Sequence, residues 1–267
     1  MAVEAARTAG ELLAERASRG AEREVSAKST PTDLVSEADL AAERAIRELL
    51  ARLRPEDGIL GEEGGSREGS SGLGWVVDPL DGTINFLFGI PQWCVSVAVR
   101  DERGTIAGAV FDPNRGELFT ATRDGPALLT SATGTRELHG RPADPHGEGT
   151  SQAGPAELAG AMVATGLAYD STVRGAQAMV LTRLVPRVRD IRRFGSAALD
   201  LAWTAAGRYD AYFERTVKAW DIAAGSLICE RAGLRVLELE PAENLPWGIL
   251  AARPGLAESL HEIVGAA

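Results

Sequence analysis

The sequence predicts an α/β protein built in layers, and three observations carry the prediction. Two amphipathic helical patterns come first, a series of strand-like segments follows, and after a Gly-, Pro- and His-rich interval strands and helices alternate. That interval, Leu138 to Pro155, is the best internal boundary. It divides a single 267-residue domain into an N-terminal α+β part, about 1–140, and a C-terminal α/β part, about 155–267.

Val3 to Arg19 has Val3, Ala6, Leu12 and Leu13 at helical spacing and ends at Gly20. Ala21 to Asp33 is polar and reads as a loop, either a closing lid or an ordinary surface connection. Leu34-Val35 is a short strand. Ser36 then caps a helix that runs to about Arg54 and turns Leu40, Ile46, Leu49 and Leu53 inward. Asp39 falls in its first turn, where an acid complements the helix dipole.

Gly58 to Gly61 reads as a buried strand that delivers Glu62 and Glu63, and the Gly/Ser-rich stretch Gly64 to Gly74 as an exposed loop. Trp75 to Val77 is a strand stopped at Asp78-Pro79, because proline lacks an N–H and fixes φ. A short helix follows Asp81-Gly82-Thr83. Trp93 to Val99, Thr105 to Phe111 and Glu117 to Ala121 form an antiparallel sheet, with the first two helices available to cover one face. In the second half, strands at 161–164, 191–194, 209–213, 235–239 and 249–251 alternate with helices at 175–188, 197–206, 220–232 and 256–264.

Composition narrows the function. The hydrophobic share is 45% and the charged share 25%, as in ordinary globular proteins. A net charge of −10 disfavours nonspecific binding to nucleic acid or anionic membranes. It also means that a phosphate substrate would need cations to reverse the local field. The two cysteines, Cys94 and Cys229, build no disulfide framework and suit a reducing cytoplasm. No run is apolar enough to serve as a signal peptide or membrane span. His139 and His146 lack the spacing of a zinc site.

Acids next to glycine stand at three separate places where a strand ends or a helix begins: Glu62, Asp78 with Asp81, and Asp221. Each has an ordinary reading: solvated surface for Glu62, a turn for Asp78 and Asp81, and a helix cap for Asp221. If they converge, four carboxylates share one cleft, an arrangement too repulsive to hold without divalent cations. Hard oxygen donors beside a helix start fit a metal-plus-phosphate site.

DPLDGTINF (Asp78 to Phe86), WDIAAG (Trp220 to Gly225) and ILGEE (Ile59 to Glu63) together resemble the metal-dependent inositol monophosphatase family. DLVSEAD (Asp33 to Asp39) and GSAALDLAWTAAGRYDAYFE (Gly195 to Glu214) extend the likeness over nearly the whole chain. The resemblance implies an αβαβα sandwich, a lithium-sensitive homodimer, and hydrolysis of inositol monophosphate with two to three Mg²⁺ per site. It implies Glu62, Asp78, Asp81, Asp221 and the Leu80 carbonyl as metal ligands, with Thr83 and Asp39 activating water. The Gly82 and Thr83 N–H groups match the phosphate cradle. Glu214 matches a residue that binds substrate hydroxyls, with Gly195, Ser196 and Ala197 beside it, and Lys28 lies in the loop that closes over the metals.

Chemistry agrees with this reading: uncatalysed phosphate monoester hydrolysis is extremely slow, and charge stabilisation by Mg²⁺ suits it. The chain departs from the family pattern at Glu230 to Leu234, which lacks a final glycine, and in a short segment between Glu238 and Trp247. Arg192-Arg193 offers either an anion-binding pair or a structural ion pair. Fructose 1,6-bisphosphate and histidinol phosphate are the alternative substrates. A non-catalytic binding protein on the same fold is the alternative of a different class.

Overall fold

Alanines supply much of the face that each of the first two helices buries. The computed structural model describes residues 1–19, 25–27, 34–141 and 155–265. Helix α1 (Ala2–Ser18) buries Ala5, Ala6, Ala9, Gly10 and Leu13. Helix α2 (Glu37–Leu53) buries Ala38, Ala41, Ala42, Ile46, Leu49 and Leu50 among others. Leu40 and Leu53, expected to face inward, are 36% and 43% exposed. The short side chains let the helices approach closely, and the buried stripe lies over them rather than over the outlying leucines.

Both helices lie on one face of an eight-stranded sheet. Its strands are β3 (Gly58–Gly61), β4 (Gly65–Arg67), β5 (Gly74–Asp81), β6 (Cys94–Asp101), β7 (Gly104–Asp112), β8 (Glu117–Thr122), β9 (Leu128–Ser131) and β10 (Gly134–Glu137), in the order β10-β9-β8-β7-β6-β5-β3-β4. Neighbours are antiparallel except β3 and β5. β1 (Val25–Ala27) and β2 (Leu34–Ser36) form a separate antiparallel pair, so the segment expected to be a loop contains a strand. β4 likewise adds an exposed edge strand to the expected 64–74 loop. The β9–β10 hairpin lies in a stretch to which the sequence assigned no element.

The second sheet has five strands: β11 (Met162–Thr165), β12 (Asp190–Arg192), β13 (Ala211–Arg215), β14 (Arg235–Leu239) and β15 (Gly248–Ala252), ordered β12-β11-β13-β15-β14. Helices α6 (Ala197–Ala205) and α7 (Ala219–Arg231) lie between the two sheets. On the outer face of the five-stranded sheet are α5 (Ser171–Leu184) and α8 (Leu256–Val264), with α4 (Pro155–Gly160) against α8. The result is a five-layer αβαβα sandwich.

Strand periodicity sorts side chains between the layers. In β5, Trp75 and Val77 pack toward α1 and α2, whereas Val76 packs toward α6 and α7. In β13, Tyr212 faces the middle layer and Ala211 and Phe213 the outer one. Both cysteines are buried as small hydrophobes.

One departure from the expected boundaries creates the site. β5 does not stop at Asp78-Pro79 but runs on to Asp81, with its register to β6 shifting between Asp78 and Asp81. Such an irregularity accommodates a proline in a strand. Residues three apart on a regular strand point to opposite faces. Here the shift turns Asp78 and Asp81 into the same cavity.

Candidate active site

The cavity, about 420 Å³, opens where β3, β5 and the first turn of α7 meet the ends of β11 and β13. Asp78 Oδ1 accepts the Leu80 N–H at 3.0 Å, which shapes the turn and presents the Leu80 carbonyl. Asp81 Oδ2 accepts from the Ser196 hydroxyl at 2.7 Å and from Ala198 N at 2.6 Å. Asp81 therefore caps α6 from a different sheet, and Ser196, at that helix's N-cap, makes no cap bond of its own. Gly82 follows with φ at +99°, and a Cβ there would lie 2.9 Å from the Gln92 carbonyl, so the turn into α3 (Thr83–Leu87) requires glycine.

The Thr83 hydroxyl stands 2.8 Å from Asp39 Oδ1 and 3.1 Å from the Leu80 carbonyl oxygen, two acceptors for its single hydrogen. Asp39 is fully buried. Glu62 follows β3, and the turn after it is held by Glu43 of α2, which accepts Glu63 N at 2.7 Å, Gly64 N at 2.8 Å and Arg47 Nε at 2.6 Å. Asp221 sits in the first turn of α7 and accepts Lys218 N at 2.6 Å.

Ten expected site residues line the cavity: Glu62, Asp78, Leu80, Asp81, Gly82, Thr83, Gly195, Ala197, Glu214 and Asp221. Asp39 and Ser196 stand one contact behind, through Thr83 and Asp81. Lys28 lies outside the described residues.

Burial pushes the Asp78 carboxyl well above the usual range, reinforced by Glu62, Asp81 and Asp221. Asp221 is raised by burial and then by Asp81. Asp81 rises to about 6 by burial, opposed by the donors of Ser196, Ala198 and Ala197. Glu214 rises to about 7, again by burial, opposed by the Tyr212 hydroxyl. Among the described residues no three acidic, His or Cys side chains close into a ready-made metal cage. The donor set nevertheless fits Mg²⁺: mutually repelling carboxylates and a carbonyl are hard oxygen ligands, and cations would relieve the repulsion.

A sequence model of the inositol monophosphatase family matches residues 1–266. The chain belongs to that family. It is 44% identical over 242 residues to the inositol-1-monophosphatase SuhB of Mycobacterium tuberculosis (strain ATCC 25618 / H37Rv), spanning 88% of this chain and 79% of that protein. It is 41% identical over 264 residues to the Nus factor SuhB of Pasteurella multocida (strain Pm70), spanning 97% and 92%. The crystal structure of extragenic suppressor protein suhB from Bartonella henselae superimposes with a TM-score of 0.84 at 33% identity, covering 98% of this chain and 96% of the other.

Within this inositol monophosphatase fold, sequence reasoning passed over several residues that shape the site. Glu43 is one, and its position four residues before Arg47, a spacing that allows an ion pair, is the signal that could have marked it. Asn85 joins the two halves of the site, its Nδ2 donating to Gln92 O and Phe194 O at 2.7 Å each. Nothing in its local pattern marks that role. The Arg192-Arg193 alternative divides between its members: Arg192 pairs with Asp190 at 2.5 Å, and Arg193 lines the cavity.

Proposed function

We propose that the chain is a Mg²⁺-dependent phosphomonoesterase that hydrolyses inositol monophosphate to inositol and phosphate. The observation that carries this reading is the Thr83–Asp39 pair at 2.8 Å, on the rim of a cavity shared by Glu62, Asp78, Asp81 and Asp221. With its hydrogen directed to Asp39, the Thr83 oxygen can accept a hydrogen bond from a water and aim that water's lone pair at phosphorus. The water oxygen–phosphorus bond forms as the bond to the inositol oxygen breaks, and the water's proton passes toward Thr83 and Asp39. The departing alkoxide takes up a proton to give the free hydroxyl.

Glu62, Asp78, Asp81, Asp221 and the Leu80 carbonyl would hold two to three Mg²⁺, which supply charge neutralisation at the phosphoryl group. The Gly82 and Thr83 N–H groups receive phosphate oxygens. Glu214, Gly195 and Ala197, which line the cavity, receive the ring. The reading extends, through the family resemblance, to lithium inhibition and a homodimer, and, from the cysteine usage, to a cytoplasmic location, with the two parts of the chain working as one domain.

Fructose 1,6-bisphosphate and histidinol phosphate remain the competing substrates. A binding role is the second reading, favoured by the name Nus factor on relatives such as that of Pasteurella multocida.

Phosphate release should be measured with Mg²⁺ from inositol 1-phosphate, fructose 1,6-bisphosphate, histidinol phosphate and adenosine 3′,5′-bisphosphate, with Asp81→Asn as control. Turnover of inositol 1-phosphate well above the others, abolished in the variant, is the expected result. No turnover of any by folded, Mg²⁺-loaded protein would overturn the enzyme reading in favour of the binding role.

A further inference from the structure

Glu214 sits at the end of β13 with one carboxylate oxygen already committed. Tyr212, two residues earlier, shares its face of the strand and is fully buried. Among the described residues the Tyr212 hydroxyl has Glu214 Oε2 as its hydrogen-bond acceptor, at 2.8 Å. A buried phenol needs such a partner, so the bond constrains the acid as much as it satisfies the tyrosine.

The carboxylate also lies against main chain. Gly166 follows β11, the parallel neighbour of β13, and a Cβ on it would coincide with the Glu214 carboxyl group. Glycine therefore allows the acid to lie against the backbone. Two charged groups bear on it: Arg193, which lines the same cavity, attracts the acid, and the fully buried Asp200 repels it.

We propose that Tyr212 and Gly166 are positioning residues that hold Glu214 in the single orientation that recognises a substrate ring hydroxyl. They thereby determine preference for polyol phosphates over phosphates with no such hydroxyl. The inference rests on the phosphatase reading and deepens it, because neither residue lines the cavity itself.

The test is the ratio of kcat/KM for inositol 1-phosphate to that for phenyl phosphate, whose leaving group carries no other hydroxyl. It is measured in the Mg²⁺-loaded wild type, Tyr212→Phe, Gly166→Ala and Glu214→Gln. The ratio should fall about tenfold in Tyr212→Phe and Gly166→Ala, through KM of the inositol substrate, as expected for loss of one hydrogen bond to a charged group. A crystal structure of Gly166→Ala should show the Glu214 carboxylate displaced from the Tyr212 hydroxyl, a readout independent of turnover. A ratio unchanged in Tyr212→Phe but lowered in Glu214→Gln, or an undisplaced Glu214 in Gly166→Ala, would overturn the positioning role and leave the phosphatase reading intact. A ratio unchanged in Glu214→Gln would overturn the hydroxyl-recognition role itself. A wild type that hydrolyses neither ester would bring down the phosphatase reading and this inference with it.

Discussion

Thr83 and Asp39 are 44 positions apart, and the proposed activation of water depends on the hydrogen bond at which they meet. Alone, Asp39 is an acid in the first turn of a helix, favourable to the dipole there. In the fold it is fully buried and engaged by the hydroxyl at 2.8 Å. Thr83→Val keeps the shape and removes the relay. It should lower kcat by about a hundredfold with KM little changed, the size typical of a lost general-base contribution. Asp39→Asn should do the same, and steady-state kinetics of the double variant should show little further loss because the two act as a unit. At this scale the carboxylate motifs were legible in the sequence because their chemistry is carried by residue type. Glu43, Asn85 and Tyr212 were not, since their roles depend on partners supplied by other elements.

Helix α7 carries Asp221, and small residues determine how near the large sheet it lies. A Cβ on Gly108 of β7 would stand 2.8 Å from the Ala224 Cα, a backbone atom that cannot turn aside. On the other flank Gly225 meets Leu201 of α6. Gly108→Ala should push α7 outward, cost about 1–3 kcal/mol in a urea unfolding measurement, and lower turnover by carrying Asp221 with the helix. Ala223, Ala224 and Gly225 are small by type, but what they pack against is decided only in the fold. It also placed the end of β5 at Pro79, because proline ordinarily ends ladder pairing. The register shift between Asp78 and Asp81 absorbs the missing donor, and the strand runs through. Leu40 and Leu53 misled for a related reason: leucine weighs heavily in a helical pattern, yet alanines form much of the α1–α2 contact.

Across the whole molecule, the gathered acids should make stability depend on pH and on any cation bound among them. A carboxyl whose pKa is higher in the folded than in the unfolded state favours folding while both forms are protonated, and that advantage is lost as pH rises through the folded value. For Asp81, raised from 3.8 to about 6, and Glu214, raised from 4.5 to about 7, the loss falls between about pH 4 and 7. Chelator-treated protein should therefore melt several degrees lower at pH 8 than at pH 5.5 by scanning calorimetry, an order-of-magnitude shift for a chain of this size. Mg²⁺ should restore much of the loss at pH 8, and Asp78→Asn should reduce it without metal. Toward lower pH, surface pairs work the other way: Arg123 holds the Asp101 carboxyl below its usual range, so its contribution fades on acidification. A melting midpoint that did not fall between pH 5.5 and 8 in chelator would show that the acids are not mutually buried as described.

Local physics was enough for much of this protein. Helix and strand periods depend only on neighbouring side chains, and α8 lies where the pattern placed it, at 256–264. Acids beside glycine at element ends announced chemistry by type, and the motifs identified the family from sequence alone. Tertiary structure decided convergence. It brought Glu62, Asp78, Asp81 and Asp221 from three separate stretches to one cavity, set Arg193 rather than Arg192 in that cavity, and fitted Glu214 between Tyr212 and Gly166. Sheet order, a register shift and burial are properties of many residues at once, and together they determine where each acid points and how strongly it holds its proton.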